Sequence, residues 1–308
     1  MDQIYARPPP PAELVQAWKS FFGYKNSKKE ALNNIQAQHA ILTFKHLEKD
    51  NAEEGFGLEN ADLKLALLVT TWMPKDSREA HNELARILYS ELSRREGPGF
   101  DRVSSPLLNF VSVLADTGDT SAGRDIAVRY SAVPHEELDS EQRKGFGTTK
   151  RRLWNLVMAG YAREDNEVEL LKTADMAEAA GCYYGFATQE TMTTFYASKN
   201  DIPNAKQWFN NTLHGPRSFP TARTMSSVLE FSIRNGELDW CKAVFREILD
   251  KNPPKPVWDV LFQWAARGLG KGVEDVERMI EVMIRCNPAN EDGRPDVETM
   301  NGLVELAI

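Results

Sequence analysis

Four short helix-breaking segments mark this chain at a nearly constant interval: Arg-Glu-Asp-Asn (163–166), Ser-Lys-Asn-Asp (198–201), Arg-Asn-Gly-Glu (234–237) and Gly-Leu-Gly-Lys (268–271). Their central residues Asp165, Asn200, Gly236 and Gly270 lie 35, 36 and 34 residues apart. Each follows one apolar helical stretch and precedes another. One helix pair cannot bury its apolar face alone, so units of this length and content stack on their neighbours into an α-solenoid. The expected fold is all-α, with about six to seven helix-turn-helix repeats of ~35 residues.

The spacing predicts helix pairs at 61–72 with 77–95, 104–117 with 119–131, 150–163 with 165–180, 187–199 with 201–213, 221–235 with 237–250, and 255–268 with 272–286. Residues 1–60 read as an N-terminal arm and helices, with a proline run at Pro8–Pro11 and helices at 12–22 and 28–50. Residues 61–131 read as two divergent repeats, and 132–149 as an inserted mobile loop carrying Pro134 and a Gly-Phe-Gly. Residues 150–308 read as four clear repeats plus the start of another at Pro295, which is cut off inside a helix. The chain is therefore expected to be a fragment of a longer protein. Within second helices a small and a large apolar residue recur four apart, as Ala205/Phe209, Cys241/Phe245 and Val276/Ile280. That spacing lets one helix sit close against its partner.

Composition limits the function. The hydrophobic content of 42 % is enough for a core, and no apolar run approaches the roughly 18 residues of a membrane span. Cys182, Cys241 and Cys286 are 59 and 45 residues apart, which gives neither a disulfide framework nor a zinc pattern. His39 and His46 stand two turns apart on one helix without ligand partners at closer spacing. No His-Glu-x-x-His, Gly-x-Ser-x-Gly or phosphate loop is present, and Gly-Leu-Gly-Lys-Gly (268–272) follows no strand. No catalytic residues, cofactor, metal site or small-molecule substrate are expected.

The segment Arg-Pro-Asp-Val-Glu-Thr-Met-Asn-Gly-Leu-Val (294–304) resembles the junction between pentatricopeptide repeats, and Leu-Trp-Asn-Leu-Val-Met-Ala-Gly-Tyr (153–161) resembles the opening of one. Asn235-Gly236-Glu237-Leu238 with Cys241, Phe245 and Ile248 resembles the middle and second helix. The likeness covers 150–308, weakens over 61–131 and is not visible before residue 60. It implies a right-handed superhelix and a mitochondrial, matrix location. It also implies a non-catalytic protein that binds single-stranded RNA along its first helices, one base per repeat, in transcript stability, processing or translation. Other members act in respiratory-complex assembly, so the alternative is a protein-interaction scaffold of that kind, with a protein partner. The family's base-reading register falls on Asn155, Glu190, Ser226, Asp259 and Asn301, of which Asn155, Ser226 and Asn301 are types that read base edges.

The same register sorts charge, although the whole chain carries −8. Over the four clearest units the first helices sum to +7 and the second helices to −8. The basic row is led by Lys150, Arg151 and Arg152, joined by Arg223 among others. These four are the expected phosphate contacts if RNA lies on this row. Part of the acidity of the second helices is what helix N-termini attract in any fold.

Overall fold

The structure, a computed structural model, describes residues 10–50, 57–72, 78–97, 100, 104–138, 140–182, 185–214 and 220–237, together with 239, 240, 243, 244 and 247. Among them it contains α-helices and no strand: α1 (Pro11–Lys28), α2 (Asn34–Asp50), α3 (Asn60–Thr70), α4 (Glu79–Glu96), α5 (Ser104–Thr117), α6 (Thr120–Ser131), α7 (Ser140–Arg163), α8 (Glu167–Ala179), α9 (Phe186–Ser198), α10 (Ile202–Leu213) and α11 (Ala222–Arg234). The chain divides into two compact units, Met1–Tyr183 and Tyr184–Ile308.

The period has a backbone origin. Asp165, Asn200 and Gly236 all take a left-handed conformation, with φ of 58°, 64° and 70°. At each, the next amide reaches back five residues: Asn166 to the Tyr161 carbonyl at 3.0 Å, Asp201 to Tyr196 at 3.0 Å, and Glu237 to Ser232 at 2.9 Å. This is the Schellman arrangement, which ends a helix by satisfying its orphan carbonyls. Gly118, Gly181 and Lys29 end helices the same way, through the amides of Asp119, Cys182 and Glu30. Gly270 lies outside the described residues.

In the first unit α3/α4, α5/α6 and α7/α8 pack as pairs, the last two joined by short turns. First helices also pack on first helices, α3 on α5 and α5 on α7. The N-terminal helices belong to the same array: α1 packs on α2 and α3, and α2 packs on α4. Trp18, Phe22, Leu32, Phe44 and Leu47 are buried in a core continuous with Leu63, Leu67, Leu84 and Leu88. In the second unit α9 packs on both α10 and α11. Ala205 and Phe209 are buried as the small-then-large spacing predicts, and Phe209 meets Trp240 edge-on at 5.7 Å. The pairs expected beyond residue 250, and Cys241 and Phe245, lie outside the described residues.

One expectation is corrected. Residues 140–149 are not loop: α7 begins at Ser140, ten residues earlier than the sequence suggests. Gly145 and Gly147 disfavour helix by up to about 1 kcal/mol each, but tertiary packing overrides them. Phe146 stacks on Tyr130 at 4.8 Å and 20°, and Thr149 is buried. Farther along α7, Trp154 is buried and donates its indole N–H to the Ser131 hydroxyl at 3.0 Å. Among the described glycines, Gly160 has the least room for a side chain. A Cβ there would stand 2.5 Å from Thr120 Oγ1 and 3.0 Å from Ala115 Cβ.

Candidate functional site

The acidity of the second helices has a structural use. Three second helices of the first unit each pass a cation to an acid of the next: Lys45 of α2 to Glu83 of α4 at 2.7 Å, Arg86 of α4 to Asp119 at the start of α6, and Arg124 of α6 to Glu169 of α8. In the second unit Lys206 of α10 reaches Glu237 at 2.5 Å. The first row has rungs too, Lys19 of α1 to Asp62 of α3 at 3.1 Å and Arg163 of α7 to Asp116 of α5 at 2.6 Å. Such partly exposed pairs contribute about 0.2–1 kcal/mol each, so they set register between repeats more than they stabilise them. The hydrogen bond from Arg124 holds the Glu169 carboxyl below its ordinary pKa. Burial raises that of Asp116 despite Arg163.

On α7 ahead of Arg163 the pattern stops. Residues 143–163 contain no Asp or Glu. Lys144, Thr148, Arg151 and Arg152 are exposed, and at 3.6 residues per turn they share one face with the half-buried Asn155. Arg143 borders that face, its guanidinium 3.5 Å from the Glu136 carbonyl. Lys144, Arg151 and Arg152 form no ion pair with a described residue. Extending α7 back to Ser140 is what adds Arg143 and Lys144 to this surface, and sequence reasoning missed both.

The expected site residues are dispersed in role. Lys150 is half-buried, donating to the Ala180 carbonyl at the end of α8 at 2.8 Å, with its ammonium 5.6 Å from the Phe146 ring centroid. Its charge is thus used inside the fold, as a C-terminal cap. Arg151, Arg152 and Asn155 stand on α7 in the first unit. Arg223 and Ser226 stand on α11 in the second, Arg223 exposed and Ser226 half-buried. Asn301 lies outside the described residues. Glu190 shows what its register position does here. Its Oε1 accepts the Thr221 amide at 2.5 Å and the Thr224 hydroxyl at 2.8 Å. Thr221 Oγ1 in turn accepts the Thr224 amide at 3.3 Å. The arrangement is a capping box whose acid comes from the preceding first helix, α9, rather than from α11 itself. The acid in this position serves the next helix.

An apolar opening of about 250 Å³ lies between α1 and α2, lined by Leu14, Trp18, Phe21, Ile35 and His39 among others. Among the described residues no group of three or more His, Cys, Asp or Glu could hold a metal, and no helix is long and apolar enough to cross a membrane.

No protein-family model matches the chain. It is similar to "Complex I intermediate-associated protein 84, mitochondrial" of Neurospora crassa, 27 % identical over 312 residues. The match takes in 98 % of this chain, which spans 39 % of the length of that curated relative. The likeness supports a mitochondrial location.

Proposed function

We propose that the chain is a non-catalytic helical-repeat scaffold that acts in the assembly of a respiratory-chain complex, complex I by its likeness, through a protein partner. The observation that carries this reading is that the similarity to a complex I intermediate-associated protein runs through nearly the whole described array rather than one motif. The fold agrees with it. Glu190 caps α11 and Lys150 caps α8, so one position of the base-reading register and one expected phosphate contact are taken up by the protein's own backbone. The competing reading, a pentatricopeptide-type protein binding single-stranded RNA in mitochondrial gene expression, rests on Arg151, Arg152 and Asn155 sharing one face of α7, and on Arg223 and Ser226 of α11.

Depletion of the protein separates the two. Native gels of mitochondrial membranes should show a complex I intermediate stalling while mitochondrial transcripts and their translation stay at control levels. If a transcript or its translation product is lost before any intermediate stalls, the scaffold reading is wrong.

A further inference from the structure

We propose that the α7 face formed by Lys144, Arg151 and Arg152, bordered by Arg143, docks an acidic segment of a protein partner. The proposal rests on the scaffold reading and names the surface and the chemistry it uses. Among the described residues, five of the six junctions between successive helices of one row in the first unit place a cation against an acid. Here three exposed cations face solvent across 21 residues that hold no acid. Lys144 and Arg151 are seven residues apart, about 10 Å along the axis, a spacing that acids two turns apart on a helix meet.

Arg143 and Lys144 stand near the N-terminus of α7, where the macrodipole disfavours positive charge. Charge complementarity alone admits three occupants, and the surroundings select among them. A single-stranded nucleic acid wants aromatic side chains on which bases stack. Among the described residues the exposed large apolar side chains are Tyr24, Ile35, Leu42, Val128, Val168 and Leu171, none of them on α7. The aromatics of α7 are engaged, Phe146 on Tyr130, and Trp154 and Tyr161 in the core. A membrane surface wants apolar side chains beside the cations to enter the headgroup layer. This face offers Gly145, Gly147 and Thr148 instead. Cations set among small polar residues, two of them guanidinium groups able to grip carboxylates bidentately, fit acidic side chains.

The test uses the whole chain and a variant, Lys144→Glu/Arg151→Glu/Arg152→Glu, with a milder all-Gln version should reversal disturb folding. Fluorescence anisotropy follows a labelled Glu-rich helical peptide, single-stranded RNA of random sequence, and phosphatidylserine-doped vesicles as competitor. The peptide should bind the native chain, weaken about tenfold or more in the reversed variant, and be unaffected by Lys28→Glu/Lys29→Glu on α1. Equal peptide binding by native and reversed chains overturns the proposal. So does RNA or vesicle binding that is tighter than the peptide's and lost in the same variant. A cellular arm distinguishes the two levels. If depletion stalls the complex and the reversed chain restores it fully, the docking face is wrong and the assembly reading stands. If depletion leaves assembly intact, the assembly reading is wrong and the peptide arm alone decides the face.

Discussion

Helix α7 holds three glycines, and the same substitution in two of them should move stability in opposite directions. At Gly147 an added Cβ meets nothing within 4 Å, and the residue is exposed. Replacing it with Ala gains helix propensity and constrains the unfolded chain, a stabilisation of about 0.5–1 kcal/mol. At Gly160 the propensity gain is the same, but the Cβ would stand 2.5 and 2.8 Å from Thr120 Oγ1 and Cγ2, and 3.0 Å from Ala115 Cβ. Neither neighbour yields easily. Thr120 is β-branched, buried and bonded through its hydroxyl to Glu164, which leaves it no free rotamer. Ala115 can move only with the backbone of α5. Overpacking of this kind costs about 1–3 kcal/mol, so Gly160→Ala should destabilise by about 1–2 kcal/mol net. Scanning calorimetry reads both, at roughly 2–4 °C per kcal/mol for a unit of this size. Gly147→Ala should raise the midpoint by a few degrees at most and Gly160→Ala should lower it. Midpoints that move in the same direction would refute the reasoning. Thr120→Ala combined with Gly160→Ala should recover part of the loss beyond additivity.

Four further outcomes follow from the geometry. Glu190→Ala should cost about 1–2 kcal/mol and speed hydrogen exchange at the Thr221 amide, whereas Glu190→Gln, which keeps an acceptor, should cost less. Asn200→Ala should cost about 1–2 kcal/mol in urea melts, since it places a Cβ-bearing residue without a local hydrogen bond at φ 64° and breaks the amide pair with Asn235, 2.9 and 2.6 Å. Burial opposes ionisation of Glu91, but hydrogen bonds from Arg94 and Arg95 outweigh it and hold the carboxyl below its ordinary 4.5. A depressed acid stabilises the fold above its unfolded value and loses that contribution as pH falls through the folded value. Glu91→Gln should therefore flatten the loss of stability between about pH 5 and 3. Burial raises the Cys182 thiol against the pull of Lys150 and Arg151, so that thiol should react with iodoacetamide in the native chain far more slowly at neutral pH than in urea.

The repeat is legible where the backbone demands a particular residue type. Asp165, Asn200 and Gly236 are among the few residue types that enter the left-handed region at low cost, so their spacing marks the turns in the sequence itself. The first pair is hidden for the same reason. Its left-handed turn is taken by Lys29, and lysine carries no turn signal. The start of α7 is hidden because Gly145 and Gly147 argue for loop locally, while the packing of Phe146 on Tyr130 that overrules them lies outside any sequence window. The candidate site is legible as composition only. Basic and acidic rows can be counted from the register. That the second-row acids receive cations from the previous repeat, 33 to 45 residues earlier, requires the pairs themselves. Glu190 is visible as an anomaly and not as a cap, because its partners Thr221 and Thr224 are 31 and 34 residues away.

Repeat arrays evolve by gaining and losing whole units, which requires that any unit fit beside any other. The carboxylate of Glu190 removes that freedom at one junction. Excising the unit that opens at Phe186 would take the acid away and leave the Thr221 amide, just ahead of α11, to be satisfied by solvent. The equivalent place in α7 is filled by Asn155, which brings no charge to the position. Recombination among units would thus be selected against at this point, and the order of repeats around residue 200 should be more resistant to shuffling than their individual sequences are to substitution.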